Sequence, residues 1–513
     1  MLLLLLSAAA LRPPARSNLA LQSPTAQRPR IASATQRPRI ASATASTPTP
    51  SATAATPTTA ASAPPPAAST QFSASANLVK NIVGTGVLTL PAGVARLSDG
   101  GLSSPEALGL SALLLVAFGA MNAWGFALLG EACARTGATT YAGVWRASLG
   151  PRFAAVPAVA SLFLTFTASV ACLSVIADGA TDLCSALTGI DYFALPRDAI
   201  LVALVGAVLA PICSLRSLAP LATPSKIGVV GTVVAAAALL AIAAGGDYAP
   251  GGALADATPF PPQLLAAADA GIADAADAAA TSVAARLPSA GGTAFFLSLL
   301  SNAYLAHYNA PSVYASLGGG DGGAAGSDAP DASQLDRFYS VVGAAFAASG
   351  ALFLAITAAG FSTFGVASQP MILNNYASAD PLAITARVGF VLCVLFEFPL
   401  LERPFRLAIA ELAGAPPAAA LAPAAVAASV ALITATALAG VPLDTLSAVG
   451  GGTGGALLIY VAPALVALNL DAAADADGGV DGASAARRLG LAGLALAGVA
   501  LGVLGTFEAV APS

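Results

Sequence analysis

From Phe72 onward, long apolar stretches alternate with short polar or charged segments. Eleven of the stretches approach the length of about 20 residues that a helix needs to cross a bilayer. They run over roughly 74–97, 107–130, 153–177, 198–213, 225–245, 291–313, 338–361, 383–401, 416–439, 445–468 and 489–508. The fourth is short and is included because polar segments bracket it. Pro262 to Leu287 is also apolar, but Asp269, Asp274 and Asp277 recur at near-helical spacing and Arg286 follows, which reads as a surface helix.

Composition agrees with the pattern. Of 513 residues, 57% are hydrophobic and 9% charged, whereas a soluble globular chain carries about 25% charged residues. A chain so poor in charge cannot cover itself with water-compatible surface, so lipid is its expected solvent. The expected fold is an all-α polytopic membrane protein with a transmembrane domain over 73–510. The net charge of −5 is spread over loops and implies no nucleic-acid partner.

The cations set an orientation, because Lys and Arg in short loops resist translocation. Arg135, Arg146, Arg152, Arg216, Lys226, Arg403, Arg406, Arg487 and Arg488 fall on one side of the eleven-span arrangement. The opposite loops hold Asp178, Asp182, Asp191, Asp198 and Asp247, with few cations such as Arg197 and Arg286. A cytoplasmic N-terminus and an outer C-terminus follow.

Residues 1–72 form an Ala/Ser/Thr/Pro-rich extension that is expected to be disordered. It repeats QRPRIASAT at Gln27–Thr35 and Gln36–Thr44, too short for a repeat fold. Leu2 to Leu6 opens an acid-free, Arg- and Ser-rich tract, which reads either as a targeting segment or as a cytoplasmic tail. A targeting role would admit a plastid envelope beside the plasma membrane and endomembranes as locations. Gly318–Asp336 and Asp471–Arg488 read as flexible linkers. Cys133, Cys172, Cys184, Cys213 and Cys393 lack any CxxC spacing and suggest neither a metal site nor a disulfide framework.

Two of the spans are poor helices. The first reads Asn77-Leu-Val-Lys80-Asn81-Ile-Val-Gly84-Thr85-Gly86-Val-Leu-Thr89-Leu-Pro91, with two glycines that weaken the helix and an ammonium that needs a partner or a wet cavity. The sixth, Ser301-Asn302-Ala-Tyr304-Leu-Ala-His307-Tyr308-Asn309-Ala-Pro311, is unusually polar for its depth. Backbone freed from a helix at membrane depth is tolerated where it lines protein or a cavity. Interruptions at corresponding places of two five-helix halves point to an inverted-repeat transporter with its site between the repeats. Bare peptide groups and half-helix ends suit a carboxylate and an ammonium together, which is what an α-amino acid presents.

These residues resemble the amino acid/auxin permease family, whose members have eleven spans on a LeuT-like fold, five plus five in inverted repeat and one more. The resemblance covers about Phe72 to Leu470. NLVKNIVGTGVLTLP (Asn77–Pro91) is similar to the first-span signature of the family's proton-coupled branch. TTYAGVWRASLG (Thr139–Gly150), NAYLAHYNAPSVY (Asn302–Tyr314), GFSTFG (Gly360–Gly365), FEFPLLERPFR (Phe396–Arg406) and LSAVGGGTGGALLIYVAPAL (Leu446–Leu465) resemble its later segments in order and spacing. The resemblance implies that Asn81, Ile82, Val83, Gly84, Thr85 and Gly86 bind substrate as an unwound segment. It also implies that Ser301, Asn302 and Tyr304 face the substrate from the sixth span, and that His307 occupies the family's histidine position. Ser316 departs from the pattern, since the family usually carries an acid before that leucine, and a gating contact there is in doubt. Glu397 stands where sodium-coupled relatives commonly place a hydroxyl, so a proton is the implied coupling ion, with no other cofactor.

Each residue also has a plainer role open to it. Gly84 and Gly86 could be close-packing positions, Lys80 could snorkel to the interface, and His307 could be a packing group. Glu397 could pair with Arg403 or Arg406, while Gly450–Gly455 reads as a tight helix crossing with no site. The expected function is proton-coupled symport of neutral amino acids by alternating access, by a monomer in a lipid bilayer. Sodium coupling, an auxin-like substrate, or an amino-acid-sensing receptor are the alternatives. An enzyme is the least expected, because no nucleophile–base set or metal-ligand spacing appears at membrane depth.

Overall fold

The computed structural model describes residues 70–98, 101–151, 155–215, 222–249, 251–257, 288–318, 332–476 and 485–511. The extension through Ser69 and the expected surface helix at Pro262–Leu287 lie outside the described residues. Within them, every regular element is helical.

Seven helices are long and apolar enough to cross a membrane, and a bent pair adds an eighth. The pair is α1 (Gln71–Ile82) and a run that starts as a 3-10 turn at Thr85–Thr89 and continues as α2 (Leu90–Ser98), the two bent by 48°. Next come α3 (Ser104–Thr136), the short α4 (Tyr141–Leu149) and α5 (Ala155–Thr188). The fourth expected span is helical as α6 (Arg197–Leu204), a π turn and α7 (Ala210–Cys213), and it is too short to count among the eight. Helix α8 (Ala222–Gly245) follows, then the interrupted α9 (Ala290–Ala303) and α10 (Ala310–Ser316). The chain closes with α11 (Ala332–Phe364), α12 (Pro381–Leu412), the short apolar α13 (Pro423–Leu438), α14 (Leu443–Gly450), α15 (Ala462–Ala476) and α16 (Ala485–Val510). The chain is an integral membrane protein.

Local chemistry sets the ends. Ser103 caps α3 in a reciprocal box with Glu106, Pro105 opens the first turn, and Gly137 closes the helix at φ +68°, a left-handed turn that glycine adopts without strain. Thr140 caps α4 by accepting from the Gly143 amide. The expected linkers are shorter than read from composition, since helix already covers Ala332–Asp336, Asp471–Ala476 and Ala485–Arg488. Long-range ion pairs hold the last two of these: Arg135 binds Asp471 at 2.6 Å, and Arg487 bridges Asp471 at 3.0 Å and Glu131 at 2.7 Å. Spacing of Gly, Ala and Asp along the chain carries no trace of such pairing.

Helix α5 is buried along much of its length and packs along α12, which also lies against α8. Helices α9 and α2 pack together beside α14 and α16. The glycines of the tenth stretch make that packing possible. A Cβ on Gly451 would fall 2.0 Å from the Ser298 carbonyl, and one on Gly454 would fall 2.6 Å from Leu164. Their reading as a tight crossing accounts for these contacts.

One segment between helices is itself a structural element. Residues 365–380 join α11 to α12, and Met371, Ile372, Leu373 and Tyr376 are all buried. Arg387 of α12, fully buried, ion-pairs with Asp182 of α5 at 3.0 Å. It also donates to the carbonyls of Tyr376 at 2.7 Å, Leu373 at 2.9 Å and Ala377 at 3.1 Å. A buried guanidinium is costly unless charge and acceptors surround it, and here a carboxylate and three carbonyls do. The segment's short turn at Ile372–Asn375 packs on the 3-10 turn Thr85–Thr89.

Candidate functional site

The first span breaks at Val83 and Gly84. Helical bonding ends with the Val83 amide on the Val79 carbonyl, Val83 takes φ −86°, ψ 97°, and Gly84 is extended at φ −129°, ψ −153°. Asn81 and Ile82 are therefore still helical, and Thr85 and Gly86 already lie in the next turn. The unwound part, Val83 and Gly84, is shorter than Asn81–Gly86. The Cβ direction of Gly84 ends 2.7 Å from Glu397 Oε1. That of Gly86 ends 3.0 Å from the Ala303 Cα and 3.1 Å from Asn302 Nδ2. Absence of side chains at these two positions lets the break touch α12 on one side and the end of α9 on the other.

The sixth span breaks opposite. Helix α9 stops at Ala303, Tyr304 and Leu305 bond back to Leu300 and Asn302, and a 3-10 turn at His307–Asn309 precedes α10. Pro311 in the first turn of α10 costs no backbone bond there.

Between the two breaks lies a cavity of about 50 Å³, room for a few water molecules at about 10–15 Å³ each. Asn81, Ile82, Gly84, Thr85 and Gly86 line it from the first span, Asn302 and Tyr308 from the sixth, Thr165 and Ala168 from α5, and Glu397 from α12. The helical run Thr85–Ser98 begins at this cavity, so its positive end faces the space. Glu397 brings the opposite sign. Its Oε2 is buried with no hydrogen-bond partner in the protein, and Pro399 two residues on cannot donate to the Leu395 carbonyl, which loosens α12 beside it. Lys80 stands close enough to Glu397 to attract it, though no ion pair forms within 4 Å. The arrangement offers an anion-favouring helix end and a carboxylate across a space of a few atoms.

Several expected residues sit elsewhere. The Ser301 hydroxyl bonds the Leu297 carbonyl at 3.0 Å and the Tyr460 hydroxyl at 2.9 Å. Tyr304 donates to the Leu115 carbonyl at 3.2 Å and stacks on Phe346. Both point away from the cavity, and Val83 is buried off its wall. His307 packs among Phe126 and Phe346 with Nε2 3.0 Å from the Asn122 carbonyl, outside the lining, as its packing reading has it. Glu397 does not pair with Arg406, because Glu402 one turn along α12 takes that guanidinium at 2.6 Å. Sequence reasoning missed Thr165, Ala168 and Tyr308. The hydroxyls clustered in Thr165-Phe-Thr-Ala-Ser169 were a signal for the first.

Fold and site together define a helical membrane protein whose first span and sixth stretch are broken around a small polar cavity. Residues 67–258 match the family described as transmembrane amino acid transporter protein. The chain is also similar to a putative sodium-coupled neutral amino acid transporter 11 of Danio rerio, at 24% identity over 341 residues, 65% of this chain. It spans 63% of that relative's length.

Proposed function

We propose that this protein is a secondary transporter of neutral amino acids that works by alternating access, with substrate held between the breaks at Val83–Gly84 and Tyr304–Ala306. Eleven spans in a LeuT-like inverted repeat, with a cytoplasmic N-terminus, are part of the same reading. The short helices α6–α7 and α13 and the interrupted α9–α10 supply the three spans beyond the eight. The observation that carries the reading is the cavity itself: the start of the Thr85–Ser98 run on one wall suits a substrate carboxylate, and Glu397 on another suits its ammonium or a proton. Its small volume favours a substrate of a few heavy atoms.

Proton symport is the reading that Glu397 supports, because a lone carboxylate with an unpartnered oxygen can take up and release one proton as the cavity opens and closes. Sodium coupling is the second reading, and the name of the zebrafish relative favours it. Purified protein in proteoliposomes, given labelled alanine under an imposed proton or sodium gradient, separates the two. Uphill uptake should follow the proton gradient, and Glu397→Gln should abolish it while leaving exchange of internal for external substrate. Uptake driven by sodium alone would establish the second reading. Neither uptake nor exchange of any neutral amino acid would overturn transport altogether.

A further inference from the structure

The sixth stretch carries two sets of residues, each spaced three apart. Asn302, Leu305 and Tyr308 line the cavity. Ser301, Tyr304 and His307, each one place earlier in the chain, are buried away from it.

Helix α3 meets the second set. Tyr304 donates to the Leu115 carbonyl at 3.2 Å, and His307 Nε2 lies 3.0 Å from the Asn122 carbonyl. A carbonyl only accepts, so Nε2 carries the proton there. Ser301 is reached through Tyr460, in the π turn Leu457–Val461. The Ser301 hydroxyl donates to the Leu297 carbonyl, so the Tyr460 hydroxyl donates to Ser301 at 2.9 Å and accepts from Asn122 Nδ2 at 3.0 Å. Asn122 Nδ2 also donates to the Phe118 carbonyl at 2.7 Å, which fixes the amide that aims the phenol. Two glycines of α3 make the approach possible. A Cβ on Gly119 would fall 2.8 Å from the Tyr304 hydroxyl oxygen, and one on Gly125 would fall 2.5 Å from the Ile459 carbonyl, beside Tyr460.

We infer that Tyr460 is a positioning residue for transport: with Asn122 of α3 it holds both ends of the broken sixth span in the register that turns Asn302 and Tyr308 to the cavity. The inference rests on the transport reading for what the cavity holds. At the break regular helical bonding is absent, so the backbone alone does not fix the rotation of the two ends. A twist by one residue, about 100° around a helix, would exchange the two sets. Ser301 before the break and His307 after it are the two arms that oppose the twist, and either arm alone still ties the span to α3 and its neighbour.

Initial rates of labelled alanine uptake by the full chain in proteoliposomes, taken through a double-mutant cycle, test the inference. Tyr460→Phe cuts the first arm and keeps its ring against Phe118; His307→Phe cuts the second. Each alone should leave KM within about twofold of the parent, and the two together should raise it about tenfold, with kcat less affected. Ser301→Ala with His307→Phe cuts the same arms from the other side and serves should the first double variant fail to fold. Ser301→Thr with His307→Phe keeps the hydroxyl and should keep the parental KM. A merely structural network would lower thermal stability additively and leave KM alone. A KM within about twofold of the parent in both cut pairs would overturn the positioning role and leave transport standing. No uptake of alanine or any other neutral amino acid by the parent would remove the transport reading and this inference with it.

Discussion

Replacing Arg387 by Met tests how the 365–380 segment is held over the first-span break. Met fills much of the same volume but removes the charge, leaving Asp182 as an unpaired buried carboxylate and taking a donor from each of three carbonyls, of which those of Leu373 and Ala377 keep a backbone amide. Breaking a buried pair by deleting one partner costs about 3–5 kcal/mol. Adding the lost carbonyl bonds in full would count the same desolvation twice, so the cost stays within that range. If it falls on the segment, the local opening constant rises by about a hundred- to a few-thousand-fold. Hydrogen exchange on the purified protein reads this directly. Among the amides to follow are Gln369 bonded to Asn375, Asn374 bonded to Met371, and Ala377 bonded to the Tyr248 hydroxyl. Adding Asp182→Asn should recover part of the protection, because the unpaired charge is then gone. Exchange in Arg387→Met within about tenfold of the parent, a difference of only about 1.4 kcal/mol, would refute the clamp.

Three further outcomes are expected. Gly86→Ala places its Cβ against the Ala303 backbone, which cannot yield as a flexible side chain would, so uptake should fall about tenfold or more while the protein still reaches the membrane. Near-normal rates would show that α9 does not seat on the break. Ser301→Ala and Tyr304→Phe each remove a hydrogen bond worth about 1 kcal/mol, and should lower thermal stability without raising the substrate KM; a KM raised several-fold would return either hydroxyl to the cavity. His307→Phe keeps an aromatic ring in its cluster and should leave the pH profile of uptake unchanged, so a shifted profile would restore a coupling role to the histidine.

The breaks were legible because glycine, lysine and proline together in an apolar run are hard to fit into one continuous membrane helix, and both breaks fall within the spans read from the sequence. Their extent was not. Ile82 stays helical and the break is confined to Val83 and Gly84, where the missing side chain leaves room for Glu397, more than 300 residues on in the chain. Polarity at depth marks a residue as needing a partner without saying which one. Asn302 meets the cavity, while Ser301, a third of a turn away around the helix, meets Tyr460 instead. Arg387 shows the converse. A lone arginine inside an expected span is costly unless satisfied, and that signal was present, but its partners, Asp182 of another helix and three backbone carbonyls, are ones that composition cannot reveal.

The same contacts bear on which parts can move in the alternating-access cycle proposed above. Helix α12 carries Arg387 and, ten residues on, Glu397, about 15 Å apart along the axis. Through Arg387 it is bound to α5, and through Glu402–Arg406 it holds Ser429 of α13 and the carbonyls of Cys213 and Ala420. Separating α5 from α12 would break the buried Asp182–Arg387 pair between them, at about 3–5 kcal/mol. The broken helices carry no such penalty at their joints, where Val83–Gly84 and Tyr304–Ala306 already lack regular helical bonding. Opening should therefore swing α1, α2, α9 and α10 against a standing wall of α5 and α12, with Glu397 staying on the wall as Gly84 comes and goes. A carboxylate that meets the break in one state and solvent in the other can pass a proton between the two.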